Sequence, residues 1–140
     1  MYKRVLVAAD GSEHSFRATE HAIGLLERDN PESVIEVVYS ISPSKSKADV
    51  LHTGDKDMIA KKRRERLKDI EGLLEEKKIP YEVVILQGEP GPTIVEYANG
   101  HMFDCVVLGS RGRNNLQSMV LGSVSHKVAK RVNCPVMIVK

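Results

Sequence analysis

The sequence predicts an α/β fold in which helices cover both faces of a parallel sheet, and three observations support this. Five short apolar runs recur along the chain, most of them rich in β-branched residues. They are apolar at successive rather than alternating positions, which is typical of strands buried on both faces. Amphipathic patterns of helical period separate them. Such alternation predicts a three-layer α/β/α sandwich with a five-stranded sheet.

The predicted elements follow one another as βαβαβαβαβ. The strands cover residues 5–9, 34–39, 81–86, 105–108 and 136–139. The helical patterns cover 13–28, 57–78, 92–100 and 123–132, and Ser12 is the capping residue of the first. Crossovers between parallel strands are right-handed. Ligands of such sheets bind beyond the carboxyl ends of the strands, where the winding direction reverses. These patterns leave the strand order open.

Composition narrows the class of protein and of partner. The 140 residues suit one domain spanning 1–140, with 41% hydrophobic and 29% charged residues. Aromatic residues are only 4% and the net charge is +2, so we expect no nucleic-acid partner. No apolar run is long enough for a membrane span or a signal peptide, and we expect a cytoplasmic protein. Cys105 and Cys134 lie beside apolar runs outside any C-x-x-C pair, which predicts reduced, buried thiols.

The segment 109–125 carries the strongest functional signal. It follows the fourth strand, contains glycines at 109, 112 and 122, and runs into the last helix. Glycine lets the backbone turn tightly and approach a ligand closely. The sequence Gly-Ser-Val-Ser at 122–125 would place N–H groups and hydroxyls at a helix N-terminus, which favours phosphate. Arg111 and Arg113 add positive charge beside it.

Each of these residues also has a structural interpretation. Gly109 would allow close packing of a strand against a helix. Ser123 would be an N-cap, and caps are commoner than phosphate sites. Asp10 and Gly11 would form a turn that caps the first helix. The constellation as a whole favours nucleotide binding.

Here the chain resembles the universal stress protein family, in its ATP-binding branch. The family pattern is Gly, two residues, Gly, nine residues, Gly and then Ser or Thr, and Gly109, Gly112, Gly122 and Ser123 match it. Residues 5–12 resemble the family's first strand and turn, and residues 134–139 its closing strand. The resemblance implies strand order 3-2-1-4-5, as in the adenine nucleotide alpha hydrolase-like fold. It also places the switch point between strands one and four.

The resemblance further implies which residues bind ATP with Mg²⁺. Ala9 and Asp10 border the nucleotide, with Asp10 near the ribose or the metal. The backbone at Tyr39 and Ser40 meets the adenine. The ribose and phosphates are wrapped by Gly109, Ser110, Arg111 and Gly112, and the phosphate tail is held after Gly122 by Ser123, Val124 and Ser125.

Other constellations are weaker. Residues 88–93 are rich in glycine but lack the lysine of a Walker loop, so they predict a turn into the third helix. The basic run 61–66 is followed by acidic residues, which favours a solvated helix face with i,i+4 ion pairs over a nucleic-acid or lipid site. The five histidines show no metal-ligand spacing, and no Gly-x-Ser-x-Gly elbow is present.

Three functions compete on this basis. The first is an ATP-binding regulatory module for stress responses; with no general base evident in the sequence, its hydrolysis would be slow at most. The second is an interaction protein of the same fold without nucleotide. The third is an enzyme that uses a nucleotide, such as an adenylating ligase, which would need a second catalytic motif that the sequence does not show. The apolar last strand, expected at the sheet edge, together with the resemblance predicts a homodimer through residues 136–139.

Overall fold

The fold is described from a computed structural model of the chain. The structure describes residues 2–41, 61–62, 64–111 and 122–140. Within them strands and helices alternate as predicted. In chain order they are β1 (Arg4–Ala8), α1 (Glu13–Leu25), β2 (Val34–Ile41), α2 (Lys68–Glu76), β3 (Tyr81–Gln87), α3 (Pro90–Gly100), β4 (Cys105–Gly109), α4 (Ser123–Arg131) and β5 (Val136–Val139).

The strands form one parallel sheet in the order β3-β2-β1-β4-β5, which confirms the predicted order 3-2-1-4-5. Strand β1 lies at the centre, and Ala8 near its end is level with Val38 of β2 and with Leu108 of β4. The chain winds outward from β1 through β2 to β3, and then returns to the other side of β1 as β4. The winding direction therefore reverses between β1 and β4.

Two apolar layers lie on opposite faces of the sheet. Alternate residues of the central strands, such as Val5 and Val7, pack with α1 and α2. The residues between them, such as Leu6 and Ala8, pack with α3 and α4. The three central strands are buried on both faces, which explains why they are apolar at successive positions. The edge strands β3 and β5 are only partly covered.

The largest differences from the predicted boundaries concern the first two helices. Helix α1 ends at Leu25, three residues before the predicted end at residue 28. The chain becomes extended at Leu26, whose side chain is 1% exposed and whose backbone forms an isolated β-bridge with Tyr2. The predicted helix 57–78 is interrupted. Residues 61–62 and 64–65 are helical, a turn follows, and α2 begins at Lys68, after the fully buried Leu67. Residues 57–60 lie outside the described residues.

Part of the basic run is solvated as predicted, but its ion pairing is not of the predicted kind. Lys61, Lys62 and Arg64 are exposed. Arg64 donates two hydrogen bonds, of 2.8 and 2.7 Å, to the carboxylate of Glu71, seven residues away. The predicted i,i+4 spacing is wrong for this pair because the turn at residues 66–67 breaks the helical register. The guanidinium holds the pKa of the Glu71 carboxyl below its usual range.

Both cysteines are free thiols, as predicted, but only Cys105 is buried, whereas Cys134 is partly exposed. Cys105 packs on the α1–α2 side of the sheet and Cys134 on the α3–α4 side, so the sheet separates their side chains. Burial raises the pKa of the Cys105 thiol to about 11 and also raises that of Cys134. Both side chains therefore behave as small apolar groups rather than as thiolate nucleophiles.

Candidate functional site

The carboxyl ends of β1 and β4 meet at the switch point, and most of the predicted site residues lie there. The N–H of Ala9 donates to the carbonyl of Val38, 2.9 Å away, which extends the β1–β2 pairing by one residue. Asp10 then follows the end of β1, while Gly109 is the last residue of the neighbouring β4 and Ser110 follows it. The fold therefore brings the two ends of the predicted site together.

The turn after β1 is tightly fixed. The Asp10 carboxylate accepts a 2.9 Å hydrogen bond from the N–H of Ser12, and Ser12 Oγ accepts one of 3.1 Å from the N–H of Ser15. Gly11, between Asp10 and Ser12, has φ +83°, and a Cβ added to it would lie 2.7 Å from the carbonyl oxygen of Arg66. Both the capping turn at Asp10 and the Ser12 cap predicted from the sequence are present.

Gly109 lies between α1 and α4. A Cβ added to it would come within 2.5 Å of the Cβ of His14 and 3.1 Å of that residue's backbone carbon. On its other side, Ser125 Oγ donates a 2.6 Å hydrogen bond to the Gly109 carbonyl. Close packing is therefore one role of this glycine, as the structural interpretation predicts. The same contacts position the N-terminus of α4 against the end of β4.

Ser110 joins the two ends of the glycine segment. Its N–H donates to the carbonyl of Val139 at 2.7 Å, and its carbonyl accepts from the N–H of Gly122 at 2.8 Å. Ser110 is 7% exposed. Residues 110 and 122, which are twelve positions apart in sequence, are therefore hydrogen-bonded neighbours in the structure. The predicted Gly112 lies outside the described residues.

Helix α4 begins with its N–H groups close to this point. Gly122 is its N-cap, with φ −64° and ψ 157°, and no side chain among the described residues caps the helix. Ser123 is the first helical residue, so its interpretation as an N-cap is wrong. The glycine cap has no side chain with which to satisfy the first N–H groups, and this end of the helix carries about half a positive charge.

The end of β2 contributes two side chains that point to different partners. Ser40 Oγ donates to the carbonyl of Gly88, beyond the end of β3, at 3.1 Å. The buried Tyr39 faces the other side of the sheet, where its hydroxyl oxygen accepts a 2.6 Å hydrogen bond from Arg66 Nη1. The backbone of Arg66 lies against Gly11, so this arginine reaches the carboxyl edge of the sheet. Sequence reasoning missed Arg66 because it treated the basic run as uniformly solvated.

His14 and Arg17 of α1 are further residues that sequence reasoning did not place at the site. His14 is half-buried against Gly109, and Arg17 Nη2 lies 3.1 Å from its Nδ1. Burial, then Arg17, then Arg111 lower the pKa of the His14 imidazole, while Asp10 and Glu13 act in the opposite direction. His14 is thus within electrostatic reach of predicted site residues on both β1 and β4. The only sign of this pair in the sequence was its three-residue spacing, which places residues 14 and 17 on the same side of a helix.

An open cleft of about 1240 Å³ adjoins the site on the α1 side. Gly11, Ser12 and Arg17 line one wall, and residues of the 61–76 region line the other. It meets the predicted site only at the turn after β1, so the β1–β4 edge, rather than this cleft, gathers the predicted residues. Within the described ranges no group of three metal-ligating side chains occurs, and no helix has the length and apolarity of a membrane span.

Comparison with sequence families gives a match along the whole chain. The sequence profile of the universal stress protein family matches residues 1–140. The universal stress protein YxiE of Bacillus subtilis is 34% identical, and the alignment covers 100% of both chains. The universal stress protein MJ0531 of Methanocaldococcus jannaschii is 30% identical over 100% of this chain and 83% of its own length.

Solved structures share the fold. The protein MJ0577 of M. jannaschii superposes with a TM-score of 0.83 at 26% identity, covering 100% of this chain and 96% of its own. A universal stress protein in complex with cAMP has a TM-score of 0.64 at 26% identity, covering 99% and 97%. An Arabidopsis thaliana family protein with AMP bound has a TM-score of 0.65 at 20% identity, covering 99% and 91%, which shows the fold alone.

Proposed function

Because the chain belongs to the universal stress protein family, we propose that it is a regulatory module that binds ATP with Mg²⁺ at the carboxyl edge of its sheet. The observation that carries this proposal is the closure of the glycine segment. Ser125 is hydrogen-bonded to Gly109 and Gly122 to Ser110, beside the turn at Asp10. A nucleotide across this point would meet tightly turned backbone and the positive end of α4, both of which suit phosphate.

Each predicted residue has a part in this proposal. Ala9 and Asp10 border the nucleotide, with Asp10 near the ribose or the metal, and the backbone at Tyr39 and Ser40 meets the adenine. Gly109, Ser110 and Arg111, with Gly112, surround the ribose and phosphates. The phosphate tail lies at the start of α4, against Gly122, Ser123, Val124 and Ser125. Arg111 supplies a positive charge that strengthens hydrogen bonds to phosphate oxygens.

The donor set fits a magnesium ion that arrives with the nucleotide. Mg²⁺ is usually held by one or two carboxylates together with substrate phosphates and water, not by an all-protein cage. Asp10 provides one carboxylate at the β1 turn. No cluster of three acidic, histidine or cysteine ligands occurs in the described part of the chain, so the phosphates would complete the coordination.

Relatives support an adenine nucleotide as the ligand class. One solved relative at 26% identity is a complex with cAMP, and another family structure has AMP bound. We propose ATP for this chain because the segment after Gly109 continues to a helix N-terminus that can accept a phosphate tail. Turnover would be slow, since the sequence lacks the Walker lysine and an evident general base.

One observation favours a second function, that of an interaction protein without nucleotide. Asp10 already caps a turn, and Gly109 is already required by its contact with His14. Both residues would thus be retained for the fold alone. The two functions differ in a direct measurement, because only the first predicts that ATP binds the native protein.

Calorimetric titration with ATP and Mg²⁺, together with a thermal shift assay, tests the proposal. We expect binding and a rise in Tm, because a ligand of the native state stabilises it by mass action. Gly122→Val should abolish both, since a branched side chain at the helix cap blocks approach of the phosphates. Its φ of −64° suits any residue, so the substitution introduces no backbone strain.

Gly24→Val is the matched control, because a Cβ at Gly24 has nothing within 4 Å. It should bind ATP like the wild type. No heat of binding and no thermal shift with millimolar ATP would overturn the nucleotide proposal and leave the interaction protein.

We also propose that the protein forms a homodimer through β5. The carbonyls of Pro135 and Val139 accept hydrogen bonds from the N–H groups of Val106 in β4 and of Ser110 just after it. Because backbone groups alternate along a strand, those of Val136 and Ile138 are directed away from β4, toward the sheet edge. Residues 136–138 are apolar and only partly covered. A second copy paired along this edge would satisfy the backbone groups and cover the side chains.

Analytical ultracentrifugation tests the dimer. Ile138→Pro removes an edge N–H and should dissociate the dimer, whereas Ile138→Ala loses side-chain packing but retains the N–H. A wild-type monomer at micromolar concentration, or equal dissociation of the two variants, would contradict pairing through this strand.

A further inference from the structure

The His14 side chain lies at the boundary of the proposed phosphate site. Its Cβ occupies the position directly beyond Gly109, and the carbonyl of Gly109 accepts the hydrogen bond from Ser125 at the start of α4. Gly109 therefore lies between the base of the His14 side chain and the N-terminal turn of α4. None of the roles proposed above uses His14.

The hydrogen bond between His14 and Arg17 identifies the state of the ring. Arg17 Nη2 lies 3.1 Å from His14 Nδ1. A guanidinium can only donate, so Nδ1 must be the acceptor, and the imidazole is neutral with its proton on Nε2. The surroundings of the ring also favour the neutral form, because burial and the positive charges of Arg17 and Arg111 lower its pKa.

We propose that His14 takes up a proton when the phosphates of a nucleotide bind beside Gly109, so that binding strengthens as the pH falls. The proposal rests on the proposed nucleotide site. Arg17 and Arg111 disfavour a third positive charge in the free protein, and the negative phosphates remove that penalty by compensating all three cations. The charged groups that act on the ring are Arg17 and Glu13 of α1, Asp10 after β1 and Arg111 after β4.

Protonation also changes the contacts of Arg17. Once Nδ1 carries a proton it cannot accept from Nη2, so that hydrogen bond must break. Arg17 Nε still donates to the Lys140 carbonyl at 3.0 Å, and Nη1 lies 3.9 Å from Glu13 Oε2, so the guanidinium keeps its place on the α1 surface. Arg17 is then able to turn one nitrogen from His14 toward an added anion.

The sign and size of the effect follow from linkage. The free protein has a His14 pKa below the usual 6.5, and bound phosphate raises it. Above the pKa of His14 in the complex, the ring is neutral in both the free and the bound protein, and the affinity for the nucleotide does not depend on its proton. Between the two pKa values affinity rises by at most about tenfold per pH unit, since one group binds one proton. Below the lower value the gain is complete and affinity levels off.

The test is calorimetry of ATP and of adenosine at pH 5.5, 6.5 and 7.5, each in two buffers of different ionisation enthalpy. We expect ATP binding by the wild type to take up a fraction of a proton near pH 6.5, and affinity to rise about 3- to 10-fold more between pH 7.5 and 5.5 than in His14→Gln. Both proteins see the same ionisation of ATP, so the difference belongs to His14. Adenosine, without phosphates, should show no difference.

His21→Gln is the matched control, because His21 is an exposed histidine on the same helix. It should keep the wild-type pH profile. Proton NMR of the His14 ring in the wild type gives a second measurement, in which ATP should raise the His14 titration midpoint. Parallel pH profiles of wild type and His14→Gln, or an unchanged midpoint with ATP bound, would overturn the inference alone. No binding of ATP at any pH would overturn the proposed function with it.

Discussion

Gly109→Ala separates the structural role of this glycine from any role in binding. The added Cβ would lie 2.5 Å from His14 Cβ, 3.1 Å from its carbonyl carbon and 3.2 Å from its carbonyl oxygen. These atoms belong to the backbone of α1 or are bonded directly to it, so no rotamer change relieves the clash. Gly109 does not have a positive φ, and the effect is therefore steric alone.

The expected cost is that of overpacking a well-packed contact, about 1–3 kcal/mol. For a chain of 140 residues each kcal/mol lowers Tm by roughly 3–4 °C, so Tm should fall by about 3–12 °C without nucleotide. Urea unfolding and calorimetry measure this directly. Gly24→Ala is the control, because a Cβ there meets nothing within 4 Å and alanine should stabilise the helix by about 0.5–1 kcal/mol.

A double-mutant cycle identifies the contact responsible. His14→Ala retains the Cβ and should not rescue Gly109→Ala, whereas His14→Gly removes it and should recover part of the loss. If Gly109→Ala unfolds within about 0.5 kcal/mol of the wild type, the close contact between β4 and α1 does not constrain residue 109. Equal rescue by alanine and glycine at position 14 would also refute the reasoning.

Three further perturbations test other contacts. Gly11→Ala should destabilise the protein by about 1–3 kcal/mol in urea unfolding, because φ +83° and the Arg66 carbonyl at 2.7 Å both oppose a side chain; a neutral effect would contradict the fixed turn. Tyr97→Phe should cost about 1–3 kcal/mol, because the Tyr97 hydroxyl donates to Glu36, a carboxylate side chain 5% exposed in β2; unchanged stability would show that this bond is not formed. The backbone N–H groups of Lys3 and Arg4 donate to Asp104 and lower the pKa of its carboxyl. The stability that these hydrogen bonds add is therefore complete above the pKa of the carboxyl in the unfolded chain, near 4, and is lost as the pH falls through its lower pKa in the folded protein. Asp104→Asn should therefore cost at most about 1 kcal/mol at pH 7, since the group is exposed, and should match the wild type near pH 2; a deficit that persists in acid would contradict this account.

The sheet could be predicted from the sequence because its signals are local. Successive apolar residues mark the central strands, and Ser12 marks the start of α1 through a hydrogen bond to a residue three positions away. The order of the strands needed the family resemblance, since apolar patterning is the same for a central strand in either position. The end of β2 was missed because Ser40 interrupts the apolar run while still pairing with Leu86 in the sheet.

The site was predictable in its main chain but not in its charged side chains. The glycine spacing indicated where β4 and α4 meet, because a glycine pattern reports backbone geometry. The contact of His14 with Gly109 and that of Arg66 with Tyr39 join residues far apart in sequence, on elements whose spacing no periodicity encodes. Arg64 pairs with Glu71 across a broken helix, which i,i+4 reasoning does not anticipate.

The hydrogen bond between Ser110 and Gly122 has a consequence for how neighbouring elements are joined. Gly122 is the N-cap of α4, and the N–H of Ser110 is also bonded to the carbonyl of Val139 at the end of β5. The end of β4, the start of α4 and the edge strand β5 are therefore connected through the backbone of one residue. A displacement of the first turn of α4 would be transmitted through Ser110 to the edge of the sheet.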